Sequence, residues 1–210
     1  MVKGSEFMKH FFEKGNDPQA PVLLLLHGTG GDERDLVPLK NMISPGSSVL
    51  SVRGNVLENG MPRFFRRLSM GVFDEEDLVF RTKELNEFLN QAAIDYQFDR
   101  SHVVAVGYSN GANIAASLLF HYAGSLAGAI LLHPMVPRRG ITLPDHSGIP
   151  VLLTAGRQDP ICPPEETEEL EKLLQSTGAE VKVQWQSGGH QLTMPEIEQA
   201  AKWFQTAFRI

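Results

Sequence analysis

The chain has 210 residues, 42% of them hydrophobic, which is enough to bury one full α/β core and leaves no composition suited to a fibrous or disordered protein. Its 19 basic and 25 acidic residues give a net charge of -6, which argues against a generic binder of nucleic acid or of anionic membrane. The single cysteine, Cys162, excludes an internal disulfide and fits a reducing, cytoplasmic setting. Met1 to Phe7, MVKGSEF, reads as a cloning remnant ahead of Met8, so residues 8–210 are taken as one domain. Met8 to Glu13 is expected as an edge strand, and Val22 to Leu26, apolar on both faces, as a central parallel strand. That run is far too short to insert in a bilayer. After it comes the flexible turn His27-Gly28-Thr29-Gly30-Gly31-Asp32, then a short helix through Leu36, Leu39, Lys40 and Ile43 and a strand over Ser48 to Val52. Arg53 to Phe73 shows no clean period and carries several turn residues, so it is predicted as a long loop of the kind that serves function or is mobile.

Asp74-Glu75-Glu76-Asp77 is an acidic helix start, and Leu78, Leu85, Phe88, Leu89, Ala92 and Tyr96 form one apolar face behind it. Val103 to Val106 is a short apolar strand that runs at once into Gly107-Tyr108-Ser109-Asn110-Gly111 and then into a helix striped by Ala112, Ile114, Ala115, Leu118 and Leu119. Leu126 to Leu132 and Pro150 to Ala155 are further strands. Pro163-Pro164 opens a helix to about Ser176, Glu180 to Gln186 is the last strand, and Ile197, Ala201, Phe204 and Phe208 stripe a closing helix. Strands alternating with helices predict one doubly wound, mostly parallel sheet without a large cap domain, whose ligand site lies at the carboxyl ends of the strands. Each glycine-rich or polar cluster falls at such an end.

Strand, sharp turn and helix around Gly-x-Ser-x-Gly is the context of a nucleophile elbow, which makes Ser109 the candidate nucleophile. A serine hydroxyl needs a base within hydrogen-bond reach. His10, His102, His121 and His146 suggest surface or packing positions, and His27 and His133 both precede the acid's expected place. His190, on the Gly188-Gly189 turn after the last strand, is the base this leaves. Asp159, in the turn after the Pro150 to Ala155 strand, is the candidate orienting acid, with Asp145 as its rival. The order Ser, Asp, His is that of α/β-hydrolases. Backbone N–H groups of Asn110 and Thr29 are the candidate oxyanion donors. The glycine turn lacks the ending of a P-loop and the spacing of a dinucleotide fingerprint, and neither a His-Glu-x-x-His motif nor a cysteine pair is present, so no cofactor or metal is expected.

LLLLHGTGGDERDL, SVRGNVLENGMPRFFRR, GYSNGANIA, HPMVPRRG, AGRQDPICPP and GGHQLT together resemble the phospholipase/carboxylesterase family of α/β-hydrolases over nearly the whole chain from Met8. The likeness is greatest to small hydrolases encoded in methylhydroquinone-resistance operons. The resemblance implies Ser109, Asp159 and His190 as a triad, Thr29 and Asn110 N–H as an oxyanion hole, and cofactor-free hydrolysis of a small-molecule carboxylic ester, with a link to quinone or aromatic-compound stress. Asn110 stands where acyl-protein thioesterases of this family usually carry Gln, which makes long-acyl or protein substrates a weaker expectation than small esters. Gly30, Phe64, Phe65 and Met135 are candidate pocket residues. For Phe64 and Phe65, and for Arg63, Arg66, Arg67, Arg138 and Arg139, two readings stay open: lining a pocket mouth, or packing in the core and pairing with surface acids. Cys162, beside a proline-led helix start, is either reactive toward electrophiles or a small buried hydrophobe. The apolar sheet edges leave a homodimer open.

Overall fold

The computed structural model describes residues 8–209; the cloning-remnant reading of Met1 to Phe7 lies outside them. Seven strands form the main sheet: β1 (His10–Glu13), β2 (Val22–Leu26), β3 (Val49–Val52), β8 (Val103–Tyr108), β9 (Gly128–Leu132), β10 (Pro150–Gly156) and β11 (Glu180–Gln186). Their order is β1-β3-β2-β8-β9-β10-β11, with β1 antiparallel to β3 and every other pairing parallel. The helices are α1 (Lys40–Ile43), α2 (Glu75–Tyr96), α3 (Asn110–His121), α4 (Pro164–Gln175) and α5 (Met194–Phe208). This is the α/β-hydrolase fold.

The pleat explains why β2 reads as an unbroken apolar run. Successive side chains alternate between faces, and both faces are covered. Leu24 and Leu26 pack with Leu78, Leu85 and Leu89 of α2, with α3, and with Leu170 and Leu174 of α4. Leu23 and Leu25 pack on the other side with Ile43 of α1 and with Ile197, Ala201 and Phe204 of α5. The acidic start of α2 acts as a cap: the Asp74 carboxylate accepts the Asp77 N–H at 3.1 Å.

The stretch from Arg53 to Phe73 departs from its reading as an open loop. It holds two short antiparallel hairpins, β4 (Val56–Glu58) with β5 (Met61–Arg63) and β6 (Arg67–Ser69) with β7 (Val72–Phe73). The strands are two or three residues long, too short for alternation to show in the sequence. Asn59-Gly60 supplies left-handed backbone at the first turn and Gly71 at the second. No helix among the described residues is long and apolar enough to cross a membrane.

Candidate active site

Ser109 sits between β8 and α3 with φ 52° and ψ -112°, a strained combination for a residue with a side chain. Its backbone is held on both sides, since Ser109 N–H donates to Leu132 O at 2.9 Å and Ser109 O accepts from Asn113 N–H at 2.9 Å. The flanking glycines are steric necessities. A Cβ on Gly111 would lie 1.9 Å from Leu26 O, and one on Gly107 would lie 2.5 Å from Gly111 O. The tight turn aims the hydroxyl out of the sheet and places it at the first turn of α3, whose N–H groups favour negative charge.

His190 follows β11 and Asp159 follows β10, and the neighbouring strands bring the two turns together at the same rim. His190 Nε2 lies 2.9 Å from Ser109 Oγ. His190 Nδ1 lies 2.7 Å from Asp159 Oδ2. Asp159 Oδ1 accepts the N–H groups of Ile161 at 2.8 Å and Cys162 at 2.9 Å. Burial would push this carboxyl up, but those donors and the two imidazoles on Oδ2 overcome it and hold Asp159 below the usual carboxylate range. Tyr108 holds the His190 backbone by donating its hydroxyl to His190 O at 2.8 Å. Burial and the nearby Asp159 raise the Tyr108 phenol to about 12, so it stays neutral.

The cleft over Ser109 has a volume of about 230 Å³. The core side contributes Thr29, Asn110, Asn113, Met135 and Cys162, and the hairpins contribute Arg63, Arg67, Met70, Gly71 and Phe73. Asn110 opens α3, so its N–H has no intrahelical acceptor. Its side chain is buried, with Oδ1 accepting Phe64 N–H at 2.7 Å and Nδ2 unpartnered. The Thr29 hydroxyl accepts from Arg63 Nη1 at 2.7 Å, tying the glycine turn to the first hairpin.

The readings left open by the sequence divide residue by residue. Phe64 and Phe65 are fully buried in the core and do not line the cleft, and Gly30 is also outside the lining, donating its N–H to Pro62 O at 2.9 Å. Met135 lines it. Arg66 pairs with Asp74, Arg138 with Glu75, and Arg139 with Glu166 and Glu169, all at the surface. Arg63 and Arg67 face the cleft and share one carboxylate, Glu58, at 3.7 Å and 2.9 Å. Cys162 is buried, and its thiol donates to His133 O at 3.3 Å. Burial and the neighbouring carboxylates push this thiol up, away from the thiolate. Asp145, the rival acid, bonds only Ser147 within its own turn.

Two residues at the site escape the sequence reading. His133, at the end of β9, places Nδ1 2.9 Å from the same Asp159 Oδ2 that His190 uses. Its Nε2 lies 3.1 Å from Oε1 of Glu196 in α5, a contact bent away from ideal hydrogen-bond direction. The available signal was position: His133 ends a strand at the same rim as Ser109 and Asp159. His133, Asp159 and His190 form the one cluster of potential metal ligands among the described residues, but both Nδ1 atoms are already turned onto the Asp159 carboxylate.

The model of the phospholipase/carboxylesterase family matches residues 8–208. The chain belongs to this family. It is 62% identical over 200 residues to MhqD of Bacillus subtilis, a protein provisionally named a hydrolase, with 95% of this chain and 99% of MhqD covered. The crystal structure of the Bacillus cereus carboxylesterase is 62% identical and superposes with a TM-score of 0.95, covering 96% of this chain and 95% of that one. YahD, solved with malic acid, is 31% identical with a TM-score of 0.91, covering 95% and 99%. Family membership makes the chain a hydrolase of the carboxylesterase type.

Proposed function

We propose that the chain is a serine carboxylesterase that cleaves small to medium carboxylic esters through an acyl-serine intermediate. The observation that carries this reading is the unbroken run of contacts from Ser109 Oγ to His190 Nε2 at 2.9 Å and from His190 Nδ1 to Asp159 Oδ2 at 2.7 Å. His190 takes the hydroxyl proton as Ser109 Oγ attacks the ester carbonyl, and Asp159 fixes the imidazole tautomer and stabilises the cation that forms. The carbonyl oxygen becomes an oxyanion received by the N–H groups of Thr29 and Asn110, each worth on the order of 100-fold in rate. The tetrahedral intermediate collapses, the C–O bond to the alcohol breaks, and the leaving oxygen takes the proton from His190. Water, deprotonated by His190, then attacks the acyl carbonyl; the Ser109 Oγ–acyl bond breaks, Oγ takes the proton back from His190, and the carboxylic acid leaves.

The cleft favours substrates with a polar group over bare hydrocarbon tails. Arg63 and Arg67 both line it and share one counter-charge. A role in quinone or aromatic-compound stress goes with this reading, supported by the resemblance to hydrolases of methylhydroquinone-resistance operons. A thioesterase or lysophospholipase activity is the second reading, supported by apolar side chains exposed on the hairpins, Leu57, Leu68 and Met70. A chain-length series on oxygen and thiol esters separates them, because rates rising toward long acyl chains favour the second. Ser109→Ala is expected to abolish turnover of a chromogenic short-chain ester, and undiminished turnover overturns the assignment.

A further inference from the structure

His133 is almost completely buried and is bracketed by two carboxylates that are themselves buried, Asp159 and Glu196. Nδ1 lies 2.9 Å from Asp159 Oδ2, and Nε2 lies 3.1 Å from Glu196 Oε1. A carboxylate offers only lone pairs. A neutral imidazole would therefore set a nitrogen lone pair against an oxygen lone pair on one side. Glu196 is also held by donors of its own: Thr154 Oγ1 donates to Oε1 at 2.5 Å, and Thr193 N–H donates to Oε2 at 3.3 Å. Those donors favour its ionised form, which assigns the shared proton to the ring. The chain of contacts thus runs from the surface hydroxyl of Ser109 through His190, Asp159 and His133 to Glu196 inside the fold.

We propose that His133, kept as an imidazolium by Glu196, is a positioning residue for Asp159 that takes up part of its negative charge and thereby sets the acid limit at which the enzyme works. The proposal rests on the serine-esterase reading above. In a three-residue relay the acid's full charge would bear on His190 alone. Here one oxygen, Asp159 Oδ2, serves two imidazoles whose ring centroids are 5.2 Å apart. A fixed cation on that oxygen reduces its pull on a proton held by His190, so the base is freed at lower pH. It also prevents Asp159 from turning away from His190. His133 is itself rigidly placed, with φ 53° and its N–H donating to Thr154 O at 2.9 Å. The directions agree with this: Glu196 and Asp159 raise the His133 imidazole despite its burial, and His133 and Thr154 bring Glu196 below the usual carboxylate range despite its own burial.

The other ionisable groups here are Tyr108 and Cys162. The Tyr108 ring packs edge-on to His133 and beside His190, and the Cys162 thiol bonds His133 O. Both stay protonated at neutral pH. Arg63 and Arg67 line the cleft on the hairpin side of His190.

The test has two arms. In the wild-type protein, nitrogen-resolved NMR of the imidazoles at neutral pH is expected to show both His133 nitrogens protonated, whatever the protein catalyses. A His133 that carries one proton at neutral pH overturns the proposal. In the second arm, the pH profile of kcat/KM for a short-chain ester is measured for Glu196→Gln, His133→Gln and the double variant. Gln at position 196 keeps one acceptor oxygen for the Thr193 N–H at the start of α5 and turns its NH2 toward Thr154 Oγ1, so folding of the variant is checked by thermal unfolding. Each single variant removes the same buried proton, so each is expected to move the acid limb upward by about one pH unit, with the double variant adding little. Unmoved acid limbs in folded variants overturn it, as does a double variant whose shift is the sum of the singles. If no esterase activity exists to profile, the functional reading has failed, and the NMR arm still decides whether His133 is an imidazolium.

Discussion

The two walls of the cleft are built on opposite principles. The floor, made by the elbow and the turns after β9, β10 and β11, is buried, sterically crowded and bonded at nearly every polar atom. The roof, made by the two hairpins, is held by a few arginine–carboxylate pairs and shows Leu57, Leu68 and Met70 to solvent at 71%, 73% and 62% exposure. The difference separates two tasks. Proton transfer tolerates displacements of a few tenths of an ångström, so its groups are locked by the sheet. Substrate choice can vary on short strands that contribute little to the core.

Substitutions sharpen that contrast, and the largest effect belongs to the floor. Asp159→Asn keeps the shape of the acid but removes its charge and sets an amide against His190, so kcat is expected to fall by about 10³- to 10⁴-fold, read by steady-state kinetics with thermal unfolding measured alongside. Gly111→Ala comes next. With Leu26 O 1.9 Å from the new Cβ, the helix or the strand must shift, and a loss of about 3 kcal/mol or more in denaturant unfolding is expected.

Acidity should also strike the floor. Asp159 and Glu196 are both held below their ordinary values in the folded protein. Their contribution is complete above the unfolded values near ~4 and is lost as pH falls through the lower folded values. His133 is raised, so its contribution is complete below about 6.5 and is lost as pH climbs through its folded value. Thermal midpoints are therefore expected to be highest between about pH 5 and 7, and Glu196→Gln should flatten both flanks.

The roof should respond mildly. Arg67→Met removes the closer partner of Glu58 and is expected to raise KM for a polar-substituted ester by up to about tenfold, with stability changed by less than about 0.5 kcal/mol. Leu68→Ser, on a largely exposed side chain, should leave short-ester kinetics within about twofold. A roof substitution that lowered kcat as far as Asp159→Asn would erase the division between the walls.

The floor was the legible part of the sequence, for a physical reason. Alternating buried strands and amphipathic helices leave long periodic traces, and a nucleophile elbow demands glycines at fixed spacing, so Gly107, Ser109 and Gly111 point to one another within five residues. His190 and Asp159 could be proposed because each follows a strand and, with Ser109, they fall in the chain order Ser, Asp, His. His133 and Glu196 could not be paired, because their contact depends on α5 packing back against β10, where Thr154 bonds Glu196, and no local pattern encodes that packing. The hairpins were illegible for the opposite reason. Strands of two or three residues have no period to read, and nothing local separates Arg63, which reaches the cleft, from Arg66, which stays outside with Asp74.

The central claim is that Ser109 is a nucleophile made reactive by His190. Reaction of the intact protein with a fluorophosphonate probe, followed by peptide mass mapping, tests it most directly. A single adduct on Ser109, formed rapidly in the wild type and lost in a folded His190→Ala variant, is the predicted result. A folded protein that takes up no probe, or one labelled elsewhere with Ser109 untouched, contradicts it.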